Sequence, residues 1–180
     1  MTSNPSGPHA SPVRNLRVIA CASFRRDGPS ELHDLARALR GGDEAALDAV
    51  VAIVLAGVAR EAPDLLAAPD AILIPMAGHL TGTASGSAQR LVDRLCAAGP
   101  GWAPAQGPER IADAPRALDA GVRDPAEAAT LHWPDVPGKG PVLLIDDVVH
   151  TGASLEAVWL AAPAGIRDRL VAVVAFRAED

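Results

Sequence analysis

The chain is expected to fold as an α/β protein, an open parallel sheet flanked by helices. Three observations carry that expectation. Apolar runs without polar alternation, at 71–74 and 142–145, suit strands covered on both faces, as in a parallel sheet. Segments with apolar residues at helical spacing lie between such runs. The two kinds of segment alternate, punctuated by Gly and Pro, with no internal repeat.

Element by element, residues 1–14 are rich in Ser, Pro, Asn and Gly without any period, which reads as a mobile tail ahead of a single domain over 15–180. A strand is expected at 16–23. Pro29 precedes Ser30, which is placed to cap a helix carrying Leu32, Leu35, Ala36 and Leu39, and Gly41 with Gly42 stops it. Asp43 caps a second helix, whose Ala46, Leu47, Val50, Val51, Val54, Leu55 and Val58 form a broad apolar face before Pro63 and Pro69. The strand at 71–74 leads into the turn Pro75-Met76-Ala77-Gly78-His79. Between Leu80 and Ala88 the composition is Gly, Ser, Thr and Ala, which favours a loop able to move, and 89–97 reads as a helix with Leu91, Val92 and Leu95 inward. The stretch 99–108 is Pro and Gly rich and expected irregular. Residues 110–133 give the least pattern, with Pro115 and Pro125 as breaks. A Gly-rich turn at 138–141 enters the strand at 142–145, a helix covers 153–161, and a last strand covers 170–176.

Composition narrows the function classes. The chain is 49% hydrophobic but only 3% aromatic, and Tyr is absent, so the core must be aliphatic. Its net charge of −6 argues against a broad grip on nucleic acid and leaves any phosphate recognition to loops and helix ends. Cys21 and Cys96 stand far apart, which excludes a disulfide framework, argues against zinc, and makes both small buried hydrophobes. No apolar run approaches the roughly 18–20 residues that cross a bilayer, and no basic-then-apolar leader opens the chain. A cytoplasmic protein without a membrane partner is expected. Nucleophile-elbow, zinc-protease and dinucleotide motifs are lacking from the sequence.

The most informative stretch is 142–155. Val142, Leu143, Leu144 and Ile145 run directly into Asp146 and Asp147, and Thr151-Gly152-Ala153-Ser154 then opens a helix. In open α/β sheets, ligands bind just past the carboxyl ends of such strands. The acids offer acceptors to sugar hydroxyls or a hydrated divalent metal. Thr151 to Leu155 offer backbone N–H groups and hydroxyls at a helix N-terminus, which suits an anion. One end fits a diol and the other a phosphate, and a ribose 5-phosphate has both. The plainer reading is a solvated Asp pair and an ordinary helix cap. The order and spacing behind four apolar residues favour the site.

This stretch resembles the phosphoribosyl pyrophosphate (PRPP) signature of type I phosphoribosyltransferases: an apolar run, two acids, a short spacer, then Thr-Gly-x-Ser/Thr. The resemblance implies an α/β phosphoribosyltransferase-like fold with a small hood. It implies that Asp146 and Asp147 are the catalytic acids, holding the ribose 2′ and 3′ hydroxyls and Mg2+ through water. Val149, His150, Thr151, Gly152, Ala153 and Ser154 would wrap the 5′-phosphate. Met76, Ala77, Gly78 and His79 loosely match the family's pyrophosphate loop, where small residues let backbone amides approach closely.

The layout before residue 75 looks like the competence protein ComF branch. The stretch 24–29 is followed by a helix ending at Arg40-Gly41-Gly42-Asp43, a shortened form of a Lys-Tyr-Arg-Gly-Asp-like element. Arg40 is the best guess for a pyrophosphate contact. The branch's cysteine-rich zinc module is lacking, and its Arg-Gly-Phe-Asn-Gln segment keeps only Gln89. The implied activity is Mg2+-dependent phosphoribosyl transfer between pyrophosphate and a nitrogenous base not specified by the sequence. The alternative is a non-catalytic PRPP- or nucleotide-binding regulator or competence and DNA-processing protein of the same fold. Expected partners are PRPP or a nucleoside 5′-monophosphate, and a homodimer is a family-level expectation. The hood would come from 20–42 and 100–133.

Among the remaining candidates, Arg90, Arg94, Arg116 and Arg123 are cations near the relevant segments. Lys139 lacks the upstream Gly of a P-loop and reads as a turn lysine. His150 is placed to touch the phosphate through backbone or ring, and Trp159 to pack against the sheet. Trp102 and Trp133, in irregular regions, are candidates to cover a base.

Overall fold

A computed structural model describes residues 16–27, 30–78, 84–111 and 130–179, so the tail expected at 1–14 lies outside the described residues. In chain order the elements are β1 (Arg17–Arg25), α1 (Glu31–Arg40), α2 (Glu44–Glu61), the one-turn α3 (Pro63–Leu66), β2 (Ile72–Pro75), α4 (Gly86–Ala98), β3 (Ala103–Pro104), β4 (Glu109–Arg110), β5 (Leu131–His132), β6 (Val142–Val149), α5 (Ala153–Ala161), α6 (Ala164–Arg167) and β7 (Leu170–Glu179). Five strands pair in parallel in the order β1-β7-β6-β2-β3. A separate antiparallel ribbon joins β4 to β5, with Arg110 opposite Leu131.

The apolar run of β6 forms a central strand because both of its faces are covered. Leu143 and Ile145 enter one core with Leu39, Val50 and Leu91, while Val142 and Leu144 enter the other with Leu155 and Val158. β7 divides in the same way, Val171 and Val173 on one side and Ala172 and Val174 on the other. Each fully buried Val or Leu contributes about 1.5–3 kcal/mol. Of the seven apolar positions expected to face inward from α2, all but Leu55 are buried. The Asp43 carboxylate caps α2 by accepting from the Ala46 amide at 2.8 Å. Gly42, at φ 91°, makes the left-handed turn between α1 and α2.

Several boundaries differ from expectation. α4 starts at Gly86, so 86–88 are helix rather than the end of a loop. Ser85 takes the extended N-cap conformation there, and Ala88 is fully buried, so packing rather than composition sets this start. The stretch 99–108, expected irregular, contains β3, whose pairing with β2 adds a fifth strand at the sheet edge. Pro63 ends α2 and also starts α3. β6 continues through Asp146 and Asp147 to Val149, so both acids lie within the strand, not past its end. β7 reaches Glu179 because β1 pairs with it as far as Arg25.

The topology positions a crevice. From β2 the chain leads outward to β3 at one edge, and from β6 it leads to β7 on the other side. β2 and β6 are neighbours in the sheet, so the order reverses between them. The carboxyl ends of two strands that diverge in this way are where open α/β sheets take ligands.

Candidate functional site

A cavity of about 830 Å³ opens at those carboxyl ends. It is walled by Met76, Ala77 and Gly78 after β2, by Ser85 and Ser87 at the start of α4, and by the segment from Asp146 to Leu155. The turn after β2 is held by backbone: the Met76 amide donates to the Ile145 carbonyl, and the Ser85 amide to the Met76 carbonyl, both at 2.9 Å. Ala77 and Ala84 form an antiparallel bridge.

The adjacent acids have different surroundings. Asp147 is 4% exposed and fully engaged. Its carboxylate accepts from Arg40 Nε at 2.7 Å and Arg40 Nη2 at 3.0 Å, from Ser87 Oγ at 2.7 Å, and from the Val148 amide at 2.6 Å. Burial opposes ionisation of Asp147, but the Arg40 guanidinium, the Ser87 hydroxyl and the Val148 N–H outweigh it and hold its pKa below the usual carboxylate value. Asp146 is half-buried, lines the cavity, and accepts the Asp147 amide at 2.9 Å. Desolvation first, and the negative Asp147 second, push its pKa well above the ordinary value. A pair of carboxyls driven apart in this way divides its roles. Asp147 is a fixed anion that holds α1, α4 and β6 together, and Asp146 is the acid the cavity can address.

The loop between β6 and α5 has the form of an anion cradle. Gly152 caps α5 at φ 79°, a left-handed conformation that favours glycine. Thr151 Oγ1 accepts from the Ala153 amide at 3.3 Å, and His150 and Thr151 are exposed. The first-turn amides of a helix lack intrahelical acceptors and face a bound anion. Arg26 Nη1 lies 3.4 Å from His150 Nε2, which brings a cation from the end of β1 to this loop. Val149, expected in the phosphate loop, ends β6 as a buried residue, although it touches the cavity wall.

On the opposite wall, the Gly78 carbonyl accepts from Arg110 Nε at 2.6 Å. Arg110 is 2% exposed, and its Nη1 also donates to Thr130 Oγ1 at 3.1 Å. It ties the β4–β5 ribbon to the turn after β2. No sequence pattern marked Arg110. The composition around Ser87 favours a loop and hides its role, although Ser85 and Ser87 beside an apolar helix form a recognisable start signal.

Arg40, expected to meet pyrophosphate, lines the cavity with its side chain 57% exposed but paired to Asp147. Arg90 donates to the Leu39 and Gly42 carbonyls and to Glu44, fastening the α1–α2 turn to α4. Arg94 pairs with Glu44 and Asp48. Lys139 is exposed in its turn. His79, Arg116 and Arg123 lie outside the described residues. Trp102 and Trp133 do not cover a site. Both are core residues, and their indole N–H groups donate to the Leu65 and Val158 carbonyls at 3.2 Å.

Two carboxylates do not make a metal cage, and among the described residues no group of three or more His, Cys, Asp or Glu gathers. With Asp147 saturated by Arg40, Ser87 and the Val148 amide, Asp146 is the carboxyl of the pair through which a hydrated cation could be met. No family model matches this chain, no curated protein is significantly similar to it, and no solved structure matches it. Among the described residues no helix is long and apolar enough to cross a membrane.

Proposed function

We propose that this chain is a phosphoribosyltransferase-like protein that binds PRPP or a nucleoside 5′-monophosphate with Mg2+ and transfers the phosphoribosyl group between pyrophosphate and a nitrogenous base. One observation carries this reading. A single cavity at the sheet's switch point joins an addressable carboxyl, Asp146, to the Gly152-capped helix start on one wall and to the Met76–Gly78 turn on the other. Asp146 would accept the ribose hydroxyls. The amides and hydroxyls of Thr151 and Ser154 would hold the 5′-phosphate. The 76–78 turn would face the pyrophosphate, and Mg2+ would offset the charge of that leaving group. The β4–β5 ribbon, tied to Gly78 by Arg110, would be the part of the hood nearest the base.

Titration calorimetry with PRPP and Mg2+ tests the ligand. Wild type is expected to bind, and Asp146→Asn to bind at least about tenfold more weakly. Absence of binding by PRPP, ribose 5-phosphate and nucleoside monophosphates to wild type would overturn the reading.

A non-catalytic binding protein of the same fold has its own support. Both arginines lining the cavity among the described residues are paired with carboxylates, Arg40 with Asp147 and Arg90 with Glu44. A departing pyrophosphate would then lack a ready guanidinium. Pyrophosphate release assayed across purine and pyrimidine bases separates the two: release with any base supports transfer, and binding without release supports the regulator.

A further inference from the structure

A second cleft, of about 710 Å³, lies at the opposite, amino-terminal end of the same sheet. It is bounded by the starts of β1 and β7, the approach to β6, and α3, α5 and α6. Its lining holds four cations, Arg17, Lys139, Arg167 and Arg169, against the acids Asp64 and Asp168. This excess of positive charge stands out in a chain of net charge −6.

Two of the cations are fixed without being neutralised. Arg169 donates to the carbonyls of Gly165, Gly140 and Val136 at 3.2, 2.7 and 3.3 Å. Arg167 Nη2 donates to the Leu160 and Ala162 carbonyls at 2.8 and 2.9 Å, with its guanidinium 5.0 Å from the Trp159 ring centre. Carbonyl acceptors orient a guanidinium but leave its charge in place. Arg167 Nε is enclosed and has no acceptor among the described residues, so one donor is left over. Arg17 is offset by Asp64 at 3.3 Å, whereas Lys139 is exposed in its turn. The remaining wall is apolar: Leu65, Pro141, Leu170 and Val171. A few oriented charges set against apolar walls, in a cleft of this size, suit a small organic ligand rather than a bare ion.

We infer that this cleft binds a phosphorylated organic molecule of nucleotide size, with its phosphates on Lys139, Arg167 and Arg169 and its organic body on the Leu65, Pro141 and Leu170 wall. The site is separate from the cavity at the carboxyl ends, and it stands or falls independently of the reaction proposed there. β6 and β7 run from one site to the other, entering at Pro141 and Leu170 and leaving beside Asp146.

Solution NMR on the full chain at low ionic strength tests the inference, with ATP, adenosine and inorganic triphosphate as probes. ATP is expected to shift amides at 139–142 and 167–171, while adenosine is not, and inorganic triphosphate is expected to bind there more weakly than ATP. Lys139→Glu, a change at an exposed turn, should weaken the response at 139–142 and 167–171 by roughly tenfold. It should leave any response at 149–155 unchanged. Silent amides at the amino-terminal end would overturn the inference, as would an indifferent Lys139→Glu. Inorganic triphosphate binding as tightly as ATP would reduce the cleft to a patch for bare anions. Each of these outcomes is read at resonances distinct from those of the Asp146 cavity, so failure here is distinguishable from failure there.

Discussion

Asp146 and Asp147 are adjacent in sequence and opposite in behaviour, and the difference is measurable. Asp147 is held ionised by Arg40 and Ser87, so its stabilising contribution is present above the ordinary carboxylate pKa and is lost as pH falls through its lowered folded value. Asp147→Asn should cost about 1–3 kcal/mol at pH 7, a range that allows for the exposure of Arg40. Urea denaturation across pH checks this, and the cost should shrink in acid. Asp146 has the reverse sign. Its raised folded pKa favours the protonated form, so stability is fully present below the ordinary carboxylate pKa and declines as pH rises through the raised value. Asp146→Asn should therefore melt higher than wild type at pH 8 and equal it near pH 3.5, and a lower melting temperature at pH 8 would refute the assignment. The acid pair was legible in the sequence as a candidate site, and both acids line one cavity. Its division was not, because Asp147's partners lie 107 and 60 residues away, and nothing local distinguishes the two carboxyls.

At the scale of elements, the strands and helices that sequence pattern located well are those whose burial is continuous. α5 has the expected limits, 153–161, and Asp43 caps α2 as its position suggested. β3 escaped because two residues at a sheet edge carry no period, and the start of α4 escaped because Gly86 and Ser87 resemble a loop until Ala88 packs beneath them. The contact between α2 and β1 depends on Gly57, where a Cβ would stand 2.5 Å from Cys21 Cβ and 2.7 Å from its sulfur. Gly57→Ala gains about 0.8–1 kcal/mol of helix propensity but overpacks the contact by about 1–3 kcal/mol. A net loss of about 1 kcal/mol is expected in urea denaturation, and a gain would show that α2 can retreat from the sheet. The same burial pushes the Cys21 thiol up to about 12. A thiol reagent at pH 8 should label native Cys96 well before Cys21, with both reacting alike in urea, as intact-mass measurements would show.

For the whole molecule, one sheet with two covered faces predicts a single unfolding unit. β6 and β7 each place side chains in both cores, so neither core can be lost while these strands keep their partners. The tryptophans allow a direct test. Trp102 belongs to the core formed with α1, α2 and α4, and Trp133 to the core formed with α5. Trp159 is partly exposed on α5 and can be replaced by Phe in both reporters. Trp102→Phe with Trp159→Phe leaves Trp133 as the only indole, and Trp133→Phe with Trp159→Phe leaves Trp102. Each variant loses some packing, so midpoints are to be compared within a variant, between its fluorescence and its far-UV circular dichroism. If the sheet couples both faces, the two signals in each variant share one midpoint and one slope in urea. A Trp133 signal that melts ahead of the dichroism, beside a Trp102 signal that does not, would mean that the α5 face opens alone. In that case the loop between β6 and α5 would belong to the less stable part of the molecule, and an anion bound there would be expected to raise that first midpoint selectively.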